Sequence, residues 1–332
     1  MQIVSIIIPC YNEQSRIFNL LSAIYAQTYP REQIEVVIAD GGSTDQTRPE
    51  IDRFTVSTAD LRVLVIDNPK QIIPSGLNLA IRASKGEIII RLDAHSQPYP
   101  DYILRCVEAL TFDLGENVGG VWEILPGDDS WLAQSIAKAA SLPVAVGDAY
   151  YRYATKPAYV DTVPFGAFKR EIFAINGFFD ESLETNEDYE FNTRIKGSGG
   201  RIWLDPLIRS KYYARSNLLD LSKQYGRYGF WKWKMLERYP RTMRWRQALP
   251  PLFLLSLIIT TIMAAIFPSF WFIPVGEFSL YLLLLIFIGV VTAFREKRFF
   301  YLAGIPLAIS SMHISWGLGL IWSMIMGKTR SS

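Results

Sequence analysis

The chain has few of the residues on which disulfide frameworks and zinc sites depend, and little net charge of either sign. It holds only two cysteines and two histidines in 332 residues. Because Cys10 and Cys106 have no metal-like spacing, we expect free thiols in a reducing compartment. The formal net charge is only +2, which argues against a nucleic-acid-binding protein. No G-x-G-x-x-G follows the first apolar run, so an ordinary dinucleotide dehydrogenase is also disfavoured.

The sequence shows no sign of a signal peptide, but it is rich in long apolar stretches. Its first residues have no basic segment, and we expect them to form a strand. Half of all residues are hydrophobic, and the excess lies after about residue 250. Since a bilayer span needs roughly 20 apolar residues, we predict transmembrane helices near 249–268, 271–294 and 299–325. The alternative, a set of very apolar core helices, is disfavoured by the length of these stretches.

A basic segment precedes the first apolar stretch. Residues 216–247 contain many lysines and arginines but only two acidic residues. By the positive-inside rule, this segment and residues 295–298 lie in the cytosol. Aromatic side chains alternate with the cations, which predicts an amphipathic helix at the membrane interface. Lys328 and Arg330 would then fall on the opposite side, a conflict that disappears if the third stretch turns back on itself.

Strand and helix patterns alternate in the first half of the chain. Short β-branched runs predict four strands, at 3–8, 35–39, 61–66 and 87–92. The helical period between them predicts helices over 16–27 and 75–83, with a further helix through Ile51. Strands that are separated by helices pair in parallel. We therefore predict an α/β fold with a doubly wound, mainly parallel sheet.

Asp93-Ala94-His95 comes directly after the fourth predicted strand. In open α/β sheets, ligands bind outside the carboxyl ends of the strands. A carboxylate and an imidazole two residues apart, completed by diphosphate oxygens, suit the coordination shell of Mn²⁺ or Mg²⁺. The alternative is that Asp93 caps the next turn and His95 is a surface residue, because D-x-H alone is a weak signal.

Polar residues also follow the other predicted strands, namely Asn12, Glu13, Asp40, Asp67 and Asn68. The carboxyl ends of parallel strands are neighbours along one edge of the sheet. A row of carboxylates there can hold a base, a ribose and a metal ion. Each residue taken alone also fits an ordinary loop or cap position.

Glu187 and Asp188 form a second acidic pair, at the start of a helical pattern that runs through Ile195. The positive end of the helix dipole stabilises carboxylates at this position, so capping alone is one explanation. The functional explanation is a general base at the mouth of a site. Such a carboxylate would take a proton from an acceptor hydroxyl as that hydroxyl attacks an anomeric carbon.

The acidic motifs occur in an ordered set with two others. The set is Ile7-Ile8-Pro9-Cys10-Tyr11-Asn12-Glu13, Ala39-Asp40-Gly41-Gly42-Ser43-Thr44-Asp45, Asp93-Ala94-His95 and Asn186-Glu187-Asp188. Together the motifs resemble those of family 2 glycosyltransferases with a GT-A fold. Three further features are most similar to the succinoglycan-biosynthesis-type branch: Arg91-Leu92-Asp93-Ala94-His95, Tyr159-Val160-Asp161-Thr162-Val163 and the basic segment before the apolar stretches. The likeness runs from about Ile3 to Gly229.

The resemblance implies an inverting transfer of sugar from a nucleotide diphosphate sugar, commonly a UDP-sugar, with a divalent cation. It implies that Asp188 is the catalytic base, with Glu187 beside it at the acceptor. The residues it places at the nucleotide sugar are Pro9, Tyr11, Glu13, Asp40 and Asp93. Asp93 and His95 would hold the metal. Gln224 and Arg227 lie in Gln-Tyr-Gly-Arg-Tyr-Gly, which is similar to the Q-x-x-R-W element of membrane synthases. They would bind the diphosphate and the acceptor, although a lipid-facing role for Arg227 is equally compatible with the sequence.

The chain departs from the family pattern at three positions. Gly41 replaces the second Asp of D-D-G-S, which changes the uridine pocket. His95 replaces the second Asp of D-x-D, which keeps a metal ligand but lowers the negative charge of the site. Tyr228 stands in place of Trp, and with the short membrane region it argues against a processive polymer channel.

These observations predict three parts: a GT-A domain (1–215), a basic amphipathic interfacial segment (216–247) and a transmembrane region (248–332). The predicted protein is a multi-pass enzyme of the inner membrane with a cytosolic catalytic domain. It would transfer a hexose from a UDP-sugar to a polyprenyl-linked saccharide in exopolysaccharide or surface glycan synthesis. Two alternatives remain open at this point: direct transfer to polyprenyl phosphate, and a non-catalytic membrane scaffold with a nucleotide-sugar-binding fold.

Overall fold

The computed structural model describes residues 2–327. Within that range the strands are β1 (Val4–Cys10), β2 (Ile34–Asp40), β3 (Arg62–Asp67), β4 (Ile88–Arg91), β5 (Gln97–Pro98), β6 (Asn117–Leu125), β7 (Ala158–Tyr159), β8 (Ala167–Lys169) and β9 (Ile202–Tyr213). The first four lie where the β-branched runs predicted strands. Apolar β-branched residues favour the pleated, buried surface that these strands form.

The α-helices in the same range are α1 (Ile17–Tyr25), α2 (Thr47–Ser57), α3 (Ile73–Ala83), α4 (Tyr102–Thr111), α5 (Trp131–Ala139), α6 (Pro143–Val146), α7 (Ile172–Asn176), α8 (Glu187–Gly197), α9 (Leu218–Arg238), α10 (Trp245–Ile266), α11 (Phe272–Glu296) and α12 (Tyr301–Gly327). The helices α1, α3 and α8 confirm the periodic patterns. The helix α2 runs six residues beyond Ile51, the point to which the sequence pattern reached.

One side of the sheet is parallel. Val4 in β1 pairs with Ile34 in β2 and with Ile88 in β4, and Glu35 in β2 pairs with Arg62 in β3. The order across the sheet is β3-β2-β1-β4-β8-β6-β9-β5, and β7 pairs with β9. Antiparallel pairing joins β8 to β4 and to β6, and β5 to β9. The parallel α/β arrangement predicted from the alternating pattern is confirmed, with antiparallel strands extending it.

Helices cover both faces of the parallel strands. Ile6 and Ile8 belong to a core with Leu20, in which α1, α2 and α4 pack on one face. Ile7 belongs to a second core with Leu77, in which α3, α7 and α8 pack on the other face. Because neighbouring residues of a strand point to opposite faces, a continuous run of isoleucines serves both cores.

The chain divides into two compact units. The sheet unit comprises the residues up to 123 together with 149–212, and the helical unit comprises 124–148 together with the residues from 213 onwards. The helical unit therefore takes in α5 and α6, which the sequence pattern did not associate with the C-terminal helices. The three-part boundaries predicted from the sequence stay a prediction.

Among the described residues, three helices are long and apolar enough to cross a membrane, and they are α10, α11 and α12. They coincide with the three apolar stretches of the sequence. The helix α9 occupies most of the basic segment 216–247 and carries an Asn217 cap, whose side chain accepts a hydrogen bond from the backbone N–H of Asp220. Lys328 and Arg330 lie outside the described residues.

Candidate active site

The carboxyl ends of β1, β2 and β3 are joined through their main chains. The N–H of Gly41 donates to the carbonyl of Cys10 over 2.8 Å, and the N–H of Asn68 donates to the carbonyl of Asp40 over 2.7 Å. On the other side of β1, the N–H of Leu92 donates to the carbonyl of Ile7 over 3.1 Å. The polar residues that follow these strands therefore lie along one edge, as the sequence predicted.

Arg91, the last residue of β4, links the two acidic motifs. Its Nε lies 3.1 Å from Oδ1 of Asp93, and its Nη1 lies 2.9 Å from Oε1 of Glu187. The Arg91 side chain is only 6% exposed, and that of Glu187 only 5%. A guanidinium offers donors in a fixed fork, so one side chain can hold two carboxylates in a set relation. The structure thus places Asp93 and Glu187 against the same group.

Asp188 lies on the first turn of α8, next to Glu187. Asn186 precedes the helix in a left-handed conformation, with φ of 68°, which turns the chain sharply into α8. The N–H of Tyr189 is 2.7 Å from Oδ1 of Asp188. The sequence predicted that the pair begins a helix, and the structure confirms it. An N-terminal position exposes unpaired backbone N–H groups that favour negative charge.

The acidic cluster shifts the pKa values of its members. Burial raises the pKa of Asp188; Arg91 opposes this shift, and Asp93 adds to it. Burial also raises the pKa of Glu187, with Arg91 again opposing and the negative charge of Asp188 reinforcing. Two buried carboxyl groups next to each other cannot both ionise without cost, so Glu187 and Asp188 lose their protons at higher pH than ordinary carboxyl groups do.

His95 and Glu13 meet at the same edge of the sheet. Nδ1 of His95 is 3.1 Å from Oε1 of Glu13. Burial lowers the pKa of His95, but the hydrogen bond to Glu13 and the charge of Asp93 outweigh it, and the net shift is upward. When Nδ1 donates to a carboxylate, Nε2 is the ring nitrogen that remains for a metal, as in carboxylate–histidine–metal pairs.

This donor set suits a divalent cation that is shared with a ligand. Within residues 2–327, no group of three or more His, Cys, Asp or Glu side chains is arranged to hold a metal ion. Asp93 and His95 offer one oxygen and one nitrogen, so the remaining ligands would have to be phosphate oxygens and water. The residues therefore fit a cation that binds together with a diphosphate.

Asp40 has a partner that the sequence did not indicate. Its side chain is fully buried, and Oδ2 lies 2.5 Å from Nε of Arg48, which also pairs with Asp67. The hydroxyl of Ser43 donates to Oδ1 of Asp40 over 2.6 Å. Asp40 thus fixes the loop after β2. Its place in a nucleoside pocket stays a prediction.

Asn12 connects this loop to the end of β1. It does not cap α1, because the residue before that helix is Arg16 and no side chain caps it. Instead, Oδ1 of Asn12 accepts from the N–H of Thr44 over 2.8 Å, and the N–H of Asn12 donates to Ser43. The left-handed backbone of Asn12, with φ of 53°, makes this contact possible.

The remaining predicted residues lie at two places. Pro9 and Tyr11 are at the end of β1, and the Tyr11 ring is 53% exposed. Gln224 and Arg227 lie on α9 in the helical unit, where Nε2 of Gln224 donates to the Tyr228 hydroxyl over 2.9 Å. The sheet unit thus brings Asp93 and Glu187 to Arg91, with Asp188 beside Glu187, and pairs His95 with Glu13.

Comparison with known proteins agrees with this architecture. A family model described as glycosyl transferase family 2 matches residues 5–174, just over half of the chain. The succinoglycan biosynthesis protein ExoA of Rhizobium meliloti is 31% identical over 98% of this chain and 96% of its own length. The dolichyl N-acetyl-alpha-D-glucosaminyl phosphate 3-beta-D-2,3-diacetamido-2,3-dideoxy-beta-D-glucuronosyltransferase of Methanococcus voltae is 29% identical over 80% of this chain and 84% of its own length.

A solved structure shares the fold. The mannosyltransferase PcManGT from Pyrobaculum calidifontis, solved with GDP-Man and Mn²⁺, superimposes with a TM-score of 0.64 and 20% identity. The match covers 94% of this chain and 87% of that protein. The GT-A arrangement predicted from the motifs is confirmed. From the family match, the near full-length relative and the fold, we conclude that this chain belongs to glycosyl transferase family 2.

Proposed function

We propose that the protein is an inverting glycosyltransferase that moves a sugar from a nucleotide diphosphate sugar to a lipid-linked saccharide. The observation that carries the proposal is the double ion pair of Arg91 with Asp93 and Glu187. A donor-side carboxylate and the acceptor-side acidic pair lie on one buried guanidinium. This is the relation that a single-displacement transfer requires, because the acceptor must approach the carbon from which the diphosphate departs.

In this reaction, Asp188 takes the proton from the acceptor hydroxyl. The hydroxyl oxygen forms a bond to the anomeric carbon as the bond between that carbon and the diphosphate oxygen breaks. The electron pair of the broken bond leaves with the nucleoside diphosphate, and the configuration at the carbon inverts. Burial raises the pKa of Asp188 and makes it a stronger base than an ordinary aspartate. Glu187 stays on Arg91 and holds the start of α8 in place.

The nucleotide sugar would bind at the carboxyl ends of β1, β2 and β4. Pro9, Tyr11 and Asp40 would line the side of the nucleoside, and Glu13 and Asp93 would lie near the ribose and diphosphate. Asp93 and His95 would hold a divalent cation, Mn²⁺ or Mg²⁺, which when bound offsets the charge that develops on the departing diphosphate. A UDP-hexose is the donor we propose. The support is the resemblance of the motifs to those of family 2 glycosyltransferases.

The acceptor is proposed to be a polyprenyl-linked saccharide at the cytosolic face of the inner membrane. Three helices long enough to span a bilayer support a membrane location. The names of the two relatives support surface glycan or exopolysaccharide synthesis with a lipid-linked substrate. Gln224 and Arg227 on α9 belong to the helical unit and are proposed to serve the diphosphate or the acceptor.

Product analysis tests this proposal. The full-length protein in lipid nanodiscs would be incubated with labelled UDP-, GDP- and dTDP-sugars. Two acceptors would be compared, a polyprenyl diphosphate saccharide and bare polyprenyl phosphate. We expect label from a UDP-hexose only on the saccharide acceptor, with an inverted anomeric configuration by NMR. Labelling of bare polyprenyl phosphate would show that polyprenyl phosphate, and not a lipid-linked saccharide, is the acceptor. No transfer with any donor, together with no binding of UDP, would contradict an enzymatic function.

A further inference from the structure

The third apolar helix, α12, differs from α10 and α11 in its surroundings. Its most apolar stretch is less hydrophobic and more buried than those of the other two helices. Ile314, Leu318, Trp322 and Ile325 are exposed in its second half, and Met324 and Met326 are exposed beside them. Almost half of its most apolar stretch is covered by other parts of the protein, so the depth of α12 follows from the elements that it packs against.

The charged helix α9 packs lengthwise against α12. The hydroxyls of Ser222 and Ser311 are 2.8 Å apart. One turn further along α9, Gly226 lies against α12 between Ser315 and Gly319, where a Cβ on Gly319 would meet the Gly226 carbonyl at 2.1 Å. Gly229 then lies between Trp316 and Leu320, where a Cβ on Gly229 would meet the carbonyl of Trp316 at 2.1 Å. Each position of α9 therefore faces a pair of α12 residues farther along that helix, so the two helices run side by side and share one depth in a membrane.

The depth of α9 is set by its charges. Asp220, Lys223 and Arg227 are exposed, and they lie on the same turns of α9 that contact α12. Charged side chains on the lipid-facing surface of a membrane-embedded helix are costly to insert, but lysine and arginine are favoured at the headgroups. If α12 crossed the bilayer, the charged residues of α9 that lie beside its middle and second half would be in the hydrocarbon region.

A second segment touches the middle of α12. Nε2 of His313 lies 3.2 Å from the carbonyl of Val144, and a Cβ on Gly304 would clash with the side chain of Ser135. Ser135 and Val144 belong to residues 124–148, which leave the sheet unit and return to it. This segment is therefore on the same side of the membrane as the sheet unit. The midpoint of a spanning helix would be out of its reach.

The contacts of α12 with α10 lie near the start of that helix, and its contacts with α11 reach the middle of that helix. On α11, Gly289 packs against Leu302, and Tyr281 meets His313. On α10, the carbonyl of Gln247, near the start of the helix, accepts from the indole N–H of Trp316 over 3.2 Å. Beyond His313, α12 therefore returns toward the end of the hairpin where α10 begins, and α12 is inclined to the hairpin.

We propose that α12 does not cross the membrane but lies with α9 in the leaflet on the side of the sheet unit. The exposed apolar side chains of α12 enter the acyl region, and Lys223 of α9 faces anionic lipid headgroups. Within residues 2–327, the membrane spans are then α10 and α11, and the end of α12 is on the same side as the sheet unit.

Labelling from one side of the membrane tests this topology without any assay of activity. Single cysteines would replace Val56, which is 86% exposed in the sheet unit, Ser269 between α10 and α11, and Met326 near the end of α12. The unsubstituted chain, whose two cysteines are buried, is the blank. In sealed vesicles of one orientation, an impermeant maleimide should label V56C and M326C from the same side, and S269C from the other. Labelling of M326C from the side of S269C would overturn the proposal.

A depth measurement covers the case in which M326C is shielded from both sides. Spin labels would be attached at Ile314, the middle of α12, and at Ile258, an exposed residue in the middle of α10. Power saturation with oxygen and with a water-soluble nickel chelate reports the depth of each label. We expect I314C to be shallower than I258C. Equal depth at the bilayer centre would show that α12 is a span.

Discussion

Nη1 of Arg91 lies 2.9 Å from Oε1 of Glu187, and this ion pair joins the end of β4 to the start of α8. The two residues are far apart in sequence, and neither is exposed. Because Arg91 also contacts Asp93, the ion pair sets the distance between the proposed donor and acceptor sides of the site. Removing either partner leaves a buried charge without its counterion, which is costly.

Substitution of Arg91 by Gln should reduce transfer and change its pH dependence. Arg91 lowers the pKa of both Glu187 and Asp188, so its loss moves the acidic limb of kcat/KM to higher pH. We also expect a fall in kcat/KM on the order of 100-fold, because two charge-assisted contacts of one group are lost together. The matched control is R170Q, which removes a partly buried guanidinium that binds Gly86 and Ser84 elsewhere in the sheet unit. An unchanged pH profile in R91Q would contradict the electrostatic coupling.

The unsubstituted enzyme should lose activity in acid sooner than an ordinary aspartate would predict. Asp188 works as a base only when it is ionised, and its pKa in the folded protein is raised by burial. Activity is therefore complete above the raised pKa and falls as the pH drops through it. The acidic limb of the pH profile of kcat/KM, measured with saturating donor, reports this pKa. A limb at or below pH 4, near the reference value for aspartate, would be inconsistent with a buried base.

Divalent-ion dependence should respond to the side chain at position 95. In His95→Ala a proposed metal ligand is lost, and we expect Mn²⁺ activation to weaken by about tenfold or more, as loss of groups around a metal commonly does. His95→Asp restores a carboxylate and should tighten Mn²⁺ activation relative to the alanine variant. Calorimetric titration of Mn²⁺ with and without UDP gives the affinities. Full activity of the unsubstituted enzyme in excess chelator would refute the assignment.

Glu35 should matter for stability and not for the chemistry. Its buried carboxylate accepts hydrogen bonds from the Ser5 hydroxyl over 2.6 Å and from the N–H of Gly86 over 3.1 Å. Burial raises the pKa of Glu35, but the hydrogen bonds lower it by a larger amount, so the net shift is downward. Glu35 therefore stabilises the folded protein at pH values above the pKa that its carboxyl group has in the unfolded chain. This stabilisation is lost as the pH falls through the lower pKa of Glu35 in the folded protein.

Glu35→Gln should lower the free energy of unfolding by about 1 kcal/mol at neutral pH, because the amide oxygen can keep the hydrogen bonds of Ser5 and Gly86 but these lose the charge of the carboxylate. Thermal unfolding in detergent at several pH values measures the effect. The difference between the variant and the unsubstituted chain should shrink in acid. Asp113→Asn is the control, because Asp113 is 70% exposed and pairs only at the surface among the described contacts. A larger loss for D113N than for E35Q would show that the buried carboxylate is not the stabilising group.

The sequence predicted those features that depend on local pattern. The β-branched run that forms β4 located Asp93 at a strand end, and the polar start of α8 located Glu187 and Asp188 on a first helical turn. Periodicity and strand ends are properties of neighbouring residues, so a single sequence contains them. The same is true of the apolar stretches that became α10, α11 and α12.

The residues that connect the motifs were not predictable in the same way. In the sequence, Arg91 is only a polar residue near the end of the predicted strand 87–92. Its contact with Glu187 joins residues that are almost a hundred positions apart, which no local pattern indicates. Arg48 on α2 had no local mark that it would hold Asp40. A charged residue inside a buried apolar run is the one signal that could have identified Arg91, since buried charges require partners. The packing of α9 on α12 likewise depends on long-range glycine contacts.

The most direct test of the account is the Asp188→Asn variant of the full-length protein. The substitution keeps the size and polarity of the side chain but removes its basicity. We predict that sugar transfer is lost by a factor on the order of 10³ or more, within the range for general-base catalysis, while UDP-sugar and Mn²⁺ bind with unchanged affinity. Transfer at the unsubstituted rate by D188N would show that Asp188 is not the base.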